Sequence, residues 1–126
     1  MSKESKFLYK ELSEKVIGAF YAVYDELGYG FLEKVNELAL IKELEIRGIL
    51  TKSQVKTGIK YKGEFLCDFQ LDMVVEDKIV LELKALESLG RVHTAQLLNY
   101  LKATEYNVGY LLNFGPKPEF KRYVFT

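Results

Sequence analysis

The chain has 126 residues, of which 48% are hydrophobic and 29% are charged. This length and composition predict one globular domain with a real core, and they exclude a disordered or membrane-spanning chain. Basic and acidic residues number 18 each, so the formal net charge is zero. A chain without excess positive charge is not expected to bind a polyanion through its net charge alone. A net charge near zero is also compatible with self-association. The single cysteine, Cys67, is expected to fill a small space, and no Cys/His spacing resembles a zinc site.

The first third of the chain is predicted to be helical. Its N-terminal segment, MSKESKFLYKELSEK, lacks the apolar core of a signal peptide, which predicts a cytoplasmic location without membrane association. Apolar residues at three- and four-residue steps then predict a first helix that stops at Gly28-Tyr29-Gly30. A second helix is predicted over residues 32–47, before Gly48, with an apolar stripe of Leu32, Val35, Leu38, Ala39 and Ile46.

After Gly48 the hydrophobic period changes from that of helices to that of strands. Strands are predicted around residues 55–61, 65–75 and 79–83, followed by a third helix over 93–103 and a strand over 108–114. The turn at residues 115–118 precedes a last strand over 122–125. The order α-α-β-β-β-α-β-β predicts an α/β (α+β) domain, residues 1–126, with a mixed β-sheet flanked by helices.

The stretch FQLDMVVEDKIVLELKA, residues 69–85, predicts a hairpin whose register decides which charges meet. Directly opposite residues of an antiparallel pair point to the same face. A three-residue loop, 76–78, places Asp72 opposite Glu82. A two-residue loop would instead put charged and apolar residues on the same face of the hairpin, which is unfavourable when one face is buried. The three-residue register collects one uniformly apolar face: Leu71, Met73, Val75, Ile79, Leu81 and Leu83. We therefore predict that Asp72, Glu82 and Lys84 converge on the second face.

That second face has two interpretations. Charged residues of a half-exposed hairpin are usually just solvated. Two facing carboxylates repel, however, unless a cation or a shared proton relieves them, and here they share their face with two valines. Two carboxylates suit Mg²⁺ or Mn²⁺, and a neighbouring lysine can hold a water and stabilise charge on a phosphate. This interpretation describes a site that hydrolyses a phosphodiester.

Asp72 followed by Glu82-Leu83-Lys84 resembles the D…ExK core of the PD-(D/E)XK nuclease superfamily. GFLE at 30–33, HTAQLLNYL at 93–101 and VGYLLNFG at 108–115 add to the pattern. Together these blocks resemble the GxxExxY protein family, a group within that superfamily, from about residue 16 to residue 124. The resemblance implies a restriction-endonuclease-like core and a metal-dependent nuclease.

The resemblance also implies roles for individual residues. Asp72, Glu82 and the Leu83 carbonyl would be ligands of Mg²⁺ or Mn²⁺, and Lys84 would position or activate the attacking water. Glu33 would complete the metal site through water. Two residues one helical turn apart, Gln96 and Tyr100, would support the active site or contact phosphate.

Some of these residues also have purely structural roles open to them, and two positions depart from the family pattern. Glu33 is equally well described as a first-turn acid that favours the helix dipole. The motif tyrosine is Asn36 in this chain, and Gln70 stands where many relatives have arginine. His93 is interpreted as a capping or supporting residue rather than a general base, and Arg91 as a phosphate contact.

Three functions remain open from the sequence. The first is a Mg²⁺-dependent nuclease acting on DNA, or secondarily on RNA. The second is a catalytically weak or inactive member of the fold that binds nucleic acid or protein. The third is a half-site that acts only as a homodimer or with a partner protein.

Overall fold

Helices and strands follow the predicted order in the computed structural model, which describes residues 8–125. Residues 1–7, part of the segment compared with signal peptides, and residue 126 lie outside the described residues. The elements are α1 (Lys10–Leu27), α2 (Glu33–Ile46), β1 (Thr51–Tyr61), β2 (Glu64–Val75), β3 (Ile79–Lys84), α3 (Arg91–Ala103), β4 (Val108–Phe114) and β5 (Pro118–Val124). None of these helices is long and apolar enough to cross a bilayer.

The five strands form one sheet in the order β1-β2-β3-β4-β5. β3 and β4 are parallel, and the other neighbours are antiparallel. A parallel pair needs a crossover, which α3 supplies. Helices α1 and α2 cover one face through Phe20, Leu40 and their neighbours. The opposite face packs against Leu97 and Leu101 of α3. The predicted mixed sheet flanked by helices is therefore confirmed.

The apolar stripe predicted for α2 is wrong. Leu32, Leu38 and Ile46 are 78%, 55% and 68% exposed, whereas Leu40 and Leu44 are completely buried. The buried face also carries two polar residues, Asn36 and Glu37, which are 1% and 6% exposed. The helix has apolar residues on two faces, and contact with α1 and the sheet selects the face that includes those polar residues.

Two further details differ from the sequence-based prediction. The last strand begins at Pro118, which pairs with Phe114, and not at Arg122. Proline is compatible with this place because it is the first residue of an edge strand. Cys67 is exposed on β2 and does not fill a space in the core.

The register predicted for the β2–β3 hairpin is confirmed. Val75 pairs with Ile79 and Met73 with Leu81, which leaves the three-residue loop 76–78. Within that loop Glu76 and Asp77 both have positive φ, and the Lys78 N–H donates to the Val75 carbonyl at 2.9 Å. This is the geometry of a type I′ turn.

Strand β2 bends beside Asp72, which changes the face assigned to Leu71. Met73 packs towards α1 and α2, but Leu71, two residues earlier, packs towards α3. Strict alternation would place both on the same side. On the neighbouring strand β1, Ser53 pairs with Met73 and Val55 pairs with Leu71. Gln54, between them, is not part of this register and has a φ of 51°. The bend explains why Leu71 leaves the apolar face predicted for it.

Candidate active site

The candidate site lies where β2 and β3 stop pairing. Their ladder ends at Met73 and Leu81, while β3 continues beside β4 as far as Lys84. The second face of the hairpin is not simply solvated, because Val74 and Val80 pack beneath α3 and Glu82 is only 5% exposed. Burial of this face contradicts the solvated interpretation.

Two carboxylates take over the hydrogen bonds that the ladder no longer makes. The Asp72 N–H donates to Glu82 Oε2 at 3.1 Å, and the Leu83 N–H donates to Asp72 Oδ2 at 2.8 Å. These side chains therefore satisfy backbone donors that would otherwise be unpaired beside the core. The N–H and C=O of one strand residue point to the same edge, so the Leu83 carbonyl also faces the gap between the strands.

Burial raises the pKa of both carboxyl groups of the site. Burial, reinforced by the negative charge of Asp72, raises the pKa of Glu82 to about 8, against the opposing effects of the Asp72 N–H and Lys84. Burial also raises the pKa of Asp72, while the Leu83 N–H and Lys84 lower it. A pKa of about 8 favours the neutral form of Glu82 at neutral pH when no cation is bound.

Lys84, Gln96 and Tyr100 complete the inner part of the site. Lys84 Nζ donates to Gln96 Oε1 at 3.4 Å, which connects β3 to α3. Burial and the charges of Glu82 and Asp72 raise the pKa of the Tyr100 phenol, and a hydrogen bond with Gln96 opposes that rise. The ring of Tyr100 stacks on Phe69, with the two centroids 4.6 Å apart. The structure thus brings the predicted Gln96 and Tyr100 to the acid-acid-lysine face.

Glu33 lies at the outer edge of this site. It is the exposed first residue of α2. Burial of its carboxyl raises the pKa of Glu33, Lys84 lowers it, and Asp72 raises it further. Glu33 therefore lies within electrostatic range of both residues, although among the described residues no hydrogen bond joins it to either.

Sequence reasoning missed Glu37, which lies one helical turn after Glu33. Glu37 Oε1 accepts a hydrogen bond from Gln54 Nε2 at 3.1 Å, and Oε2 is buried without a partner in the described chain. The negative charge of Glu37 also raises the pKa of Asp72. The spacing of Glu33 and Glu37 was a usable signal, because residues at i and i+4 share a helix face.

The remaining candidates lie around this centre. Arg91 is the exposed first residue of α3, and in residues 8–125 no hydrogen bond or ion pair joins it to the acidic residues. The Gly90 N–H donates to His93 Nδ1 at 2.9 Å, which confirms the capping role predicted for His93. Asn36, at the position of the motif tyrosine, is buried, and neither of its polar atoms has a partner in residues 8–125. The exposed Gln70 of β2 pairs with Lys56 of β1.

The donor set fits a hard divalent cation that keeps several waters. Asp72 and Glu82 each use one oxygen for a backbone bond, so Asp72 Oδ1 and Glu82 Oε1 remain as carboxylate donors for a cation. Within the described chain no three His, Cys, Asp or Glu side chains form a complete metal cluster. Mg²⁺ is commonly bound through one or two carboxylates plus water, so these residues fit it without further side-chain ligands.

The family model described as the PD-(D/E)XK nuclease superfamily matches residues 10–123. The chain belongs to the PD-(D/E)XK nuclease superfamily. Nucleases of this superfamily generally use divalent metals, and a nuclease fold implies a nucleic-acid substrate. No curated protein matches the chain.

Among solved structures, the crystal structure of SSO0001 resembles this PD-(D/E)XK chain. The TM-score is 0.57 at 22% sequence identity, and the match covers 96% of this chain and 61% of SSO0001. The chain therefore spans less than two thirds of the length of SSO0001. At this identity the likeness shows the fold alone, and it supports the restriction-endonuclease-like architecture implied by the sequence resemblance.

Proposed function

We propose that this chain is a divalent-metal-dependent nuclease of the GxxExxY family, and that it hydrolyses phosphodiester bonds in DNA. The observation that carries the proposal is the meeting of Asp72, Glu82 and Lys84 where β2 and β3 diverge. Carboxyl groups whose pKa is raised by burial beside other charged groups are found preferentially at functional sites, where the site perturbs their titration.

Each residue has a distinct task in the proposed reaction. Asp72, Glu82 and the Leu83 carbonyl would hold Mg²⁺ or Mn²⁺, with Glu33 contributing through water. A cation held there would supply positive charge for the phosphate oxygens and would lower the pKa of a bound water. Lys84 orients the attacking water and stabilises negative charge that develops on the phosphate.

The neighbouring helix supports this arrangement. Gln96 holds the Lys84 ammonium against the catalytic face through its hydrogen bond. Tyr100, whose phenol senses the charges of Glu82 and Asp72, contacts the nucleic acid beside the cleaved phosphate. Arg91, the exposed first residue of the same helix, contributes a positive charge to that surface.

The alternative is a catalytically weak or inactive member of the fold that binds nucleic acid or protein. Asn36 at the motif tyrosine position favours this alternative, because it is buried and its side chain has no hydrogen-bond partner in the part of the chain that the structure describes. Assembly into a homodimer or with a partner protein is a further proposal, supported by the exposed Leu32 and Leu38 of α2. A single domain and a cytoplasmic location remain predictions.

Cleavage of supercoiled plasmid and of branched DNA in the presence of Mg²⁺ tests the nuclease proposal. We expect nicking by the wild type and a loss of about 10²- to 10⁴-fold in the single-turnover rate for Lys84→Ala, as is typical when a proton-transfer or charge-stabilising group is removed. Circular dichroism of the variant checks that the fold is retained. Cleavage by folded Lys84→Ala at the wild-type rate would assign the activity to a contaminant.

Calorimetric titration separates metal binding from chemistry. We expect Mn²⁺ to bind the wild type and to bind Asp72→Asn more weakly, because one of two carboxylate ligands is lost. Glu105→Gln, an exposed carboxylate away from the site, is the matched control. Wild-type protein that binds neither Mg²⁺ nor Mn²⁺ would refute the catalytic proposal and leave the binding-module alternative.

A further inference from the structure

Beside the candidate site, a groove runs between the β1–β2 ribbon and α3. Its volume is about 380 Å³, and Ile59 and Phe69 line it on the ribbon side. On the helix side Val92, Ala95 and Asn99 lie at three- and four-residue steps, so they form one stripe that faces the ribbon. The residues that line the groove are all uncharged.

The groove is continuous with the acid-acid-lysine face. Gln96 and Tyr100 line the groove, and the same two residues reach the site through the bond to Lys84 and through proximity to Glu82. If a phosphate of a polymer lies at Lys84, the chemical group attached next to that phosphate therefore lies at the mouth of the groove.

The chemistry of the groove selects an uncharged, flat occupant. Phe69 on the ribbon side and Tyr100 on the helix side stack on each other with an interplanar angle of 16°, so an aromatic pair joins the two sides of the groove. Asn99 and Gln96 add amide donors and acceptors, which suit the polar edge of a nucleobase. Helix α3 carries Arg91 and Lys102 and no acidic residue, so it does not repel a phosphate backbone.

We propose that this groove is a subsite for an unpaired nucleobase next to the phosphate at the catalytic face. This inference rests on the proposed function for the choice of nucleic acid as ligand, and it names the substrate class as single-stranded or locally unpaired strands. A base inside a duplex is stacked and cannot enter a side groove unless it leaves the stack. Aromatic stacking also supplies affinity that does not depend on charge, which suits a chain with a formal net charge of zero.

The test compares two single strands of equal length and charge, one an oligothymidylate and the other abasic throughout. Affinities are measured by fluorescence anisotropy in chelator, so that no strand is cleaved. We expect the wild type to bind the thymidylate strand about tenfold more tightly, because stacking of even one base contributes on that scale. Equal affinity for the two strands, or no binding of either, would overturn the proposal.

Ala95→Glu places a carboxylate in the groove, and Lys102→Gln makes the same change in net charge on the same helix outside it. We expect Ala95→Glu to bring the ratio of thymidylate affinity to abasic affinity close to one. We expect Lys102→Gln to weaken the binding of both strands by the same factor, so that this ratio does not change. If melting shows that Ala95→Glu does not fold, Val92→Glu at a position that is 70% exposed replaces it. If the Glu variant in the groove keeps the wild-type affinity ratio, the base binds elsewhere and the inference is refuted.

Two parallel measurements distinguish base binding from cleavage and from self-association. If the wild type cleaves DNA in Mg²⁺ but binds the thymidylate and abasic strands equally, the nuclease proposal is supported and the groove proposal is overturned. If it binds the thymidylate strand more tightly but does not cleave DNA, the groove proposal is supported and the nuclease proposal is overturned. Sedimentation identifies a second copy of the chain as the occupant: a wild-type dimer that Ala95→Glu dissociates would overturn the assignment to a base.

Discussion

Replacement of Glu82 by glutamine is expected to stabilise the metal-free protein, and to do so increasingly as pH rises. Glu82 is 5% exposed, and its pKa is raised from 4.5 to about 8 by burial and by Asp72. Between these two pH values the unfolded chain releases a proton that the folded chain retains. The free energy of unfolding therefore falls as pH rises through this window.

The difference between 4.5 and about 8 corresponds to an upper bound of about 5 kcal/mol, at about 1.4 kcal/mol per pH unit. Part of that energy belongs to the interaction with Asp72, whose own pKa is also raised. We therefore expect Glu82→Gln to gain about 2–4 kcal/mol in the free energy of unfolding above pH 8. Glutamine keeps an oxygen that can accept the Asp72 N–H, so the gain is not offset by a lost hydrogen bond.

Thermal and urea unfolding in chelator, between about pH 5 and pH 9, measure this gain. A difference of about 1 kcal/mol shifts the midpoint of a domain of this size by roughly 3–6 °C, so the effect is easily resolved. Glu105→Gln, an exposed carboxylate, is the control. Parallel stability profiles for wild type and Glu82→Gln across the window would show that Glu82 does not hold a proton in the folded protein.

Three further outcomes are expected. Mn²⁺ affinity of the wild type should rise about ninefold between pH 6 and pH 7, because the proton on Glu82 competes with the metal below a pKa of about 8; pH-independent calorimetric titrations would contradict this. Urea unfolding should show little change in the free energy of unfolding for Leu38→Glu and a loss of about 2–5 kcal/mol for Leu40→Ala, since only Leu40 is buried. A larger loss for Leu38→Glu than for Leu40→Ala would mean that the face of α2 predicted from the sequence is the buried one. Gly115→Ala should destabilise the fold by about 2 kcal/mol or more, because the new Cβ overlaps the Leu86 carbonyl oxygen; a wild-type midpoint in urea would refute that close approach.

The α2 helix illustrates what a hydrophobic pattern cannot decide. Its sequence has apolar residues around much of the helix, so Leu38 and Leu40 are comparable candidates for the core. The buried face was chosen by packing against α1 and the sheet, and it accepted Asn36 and Glu37. A pattern rule rejects such polar residues from a core because their burial is costly when they are unpaired.

Glu37 and Gln54 show the same limit at the candidate site. They are 17 positions apart and bond across two elements, beside the bend that moves Leu71 towards α3. Next to the bend, Gln54 of β1 has a positive φ, which is uncommon outside glycine and has no pattern in the sequence. Glu33, in contrast, was found from the family motif, and its roles remain a proposal.

The sequence by itself determined the order of the elements and the register that brings Asp72, Glu82 and Lys84 to one face. Both follow from short-range information, namely the hydrophobic period and the number of residues in one loop. Only the tertiary structure decided the buried face of α2, the bend of β2, the raised pKa of Glu82 and the groove beside α3. Each of these depends on which distant segments exclude water from the same place, and burial of that kind is set by the assembled sheet and helices.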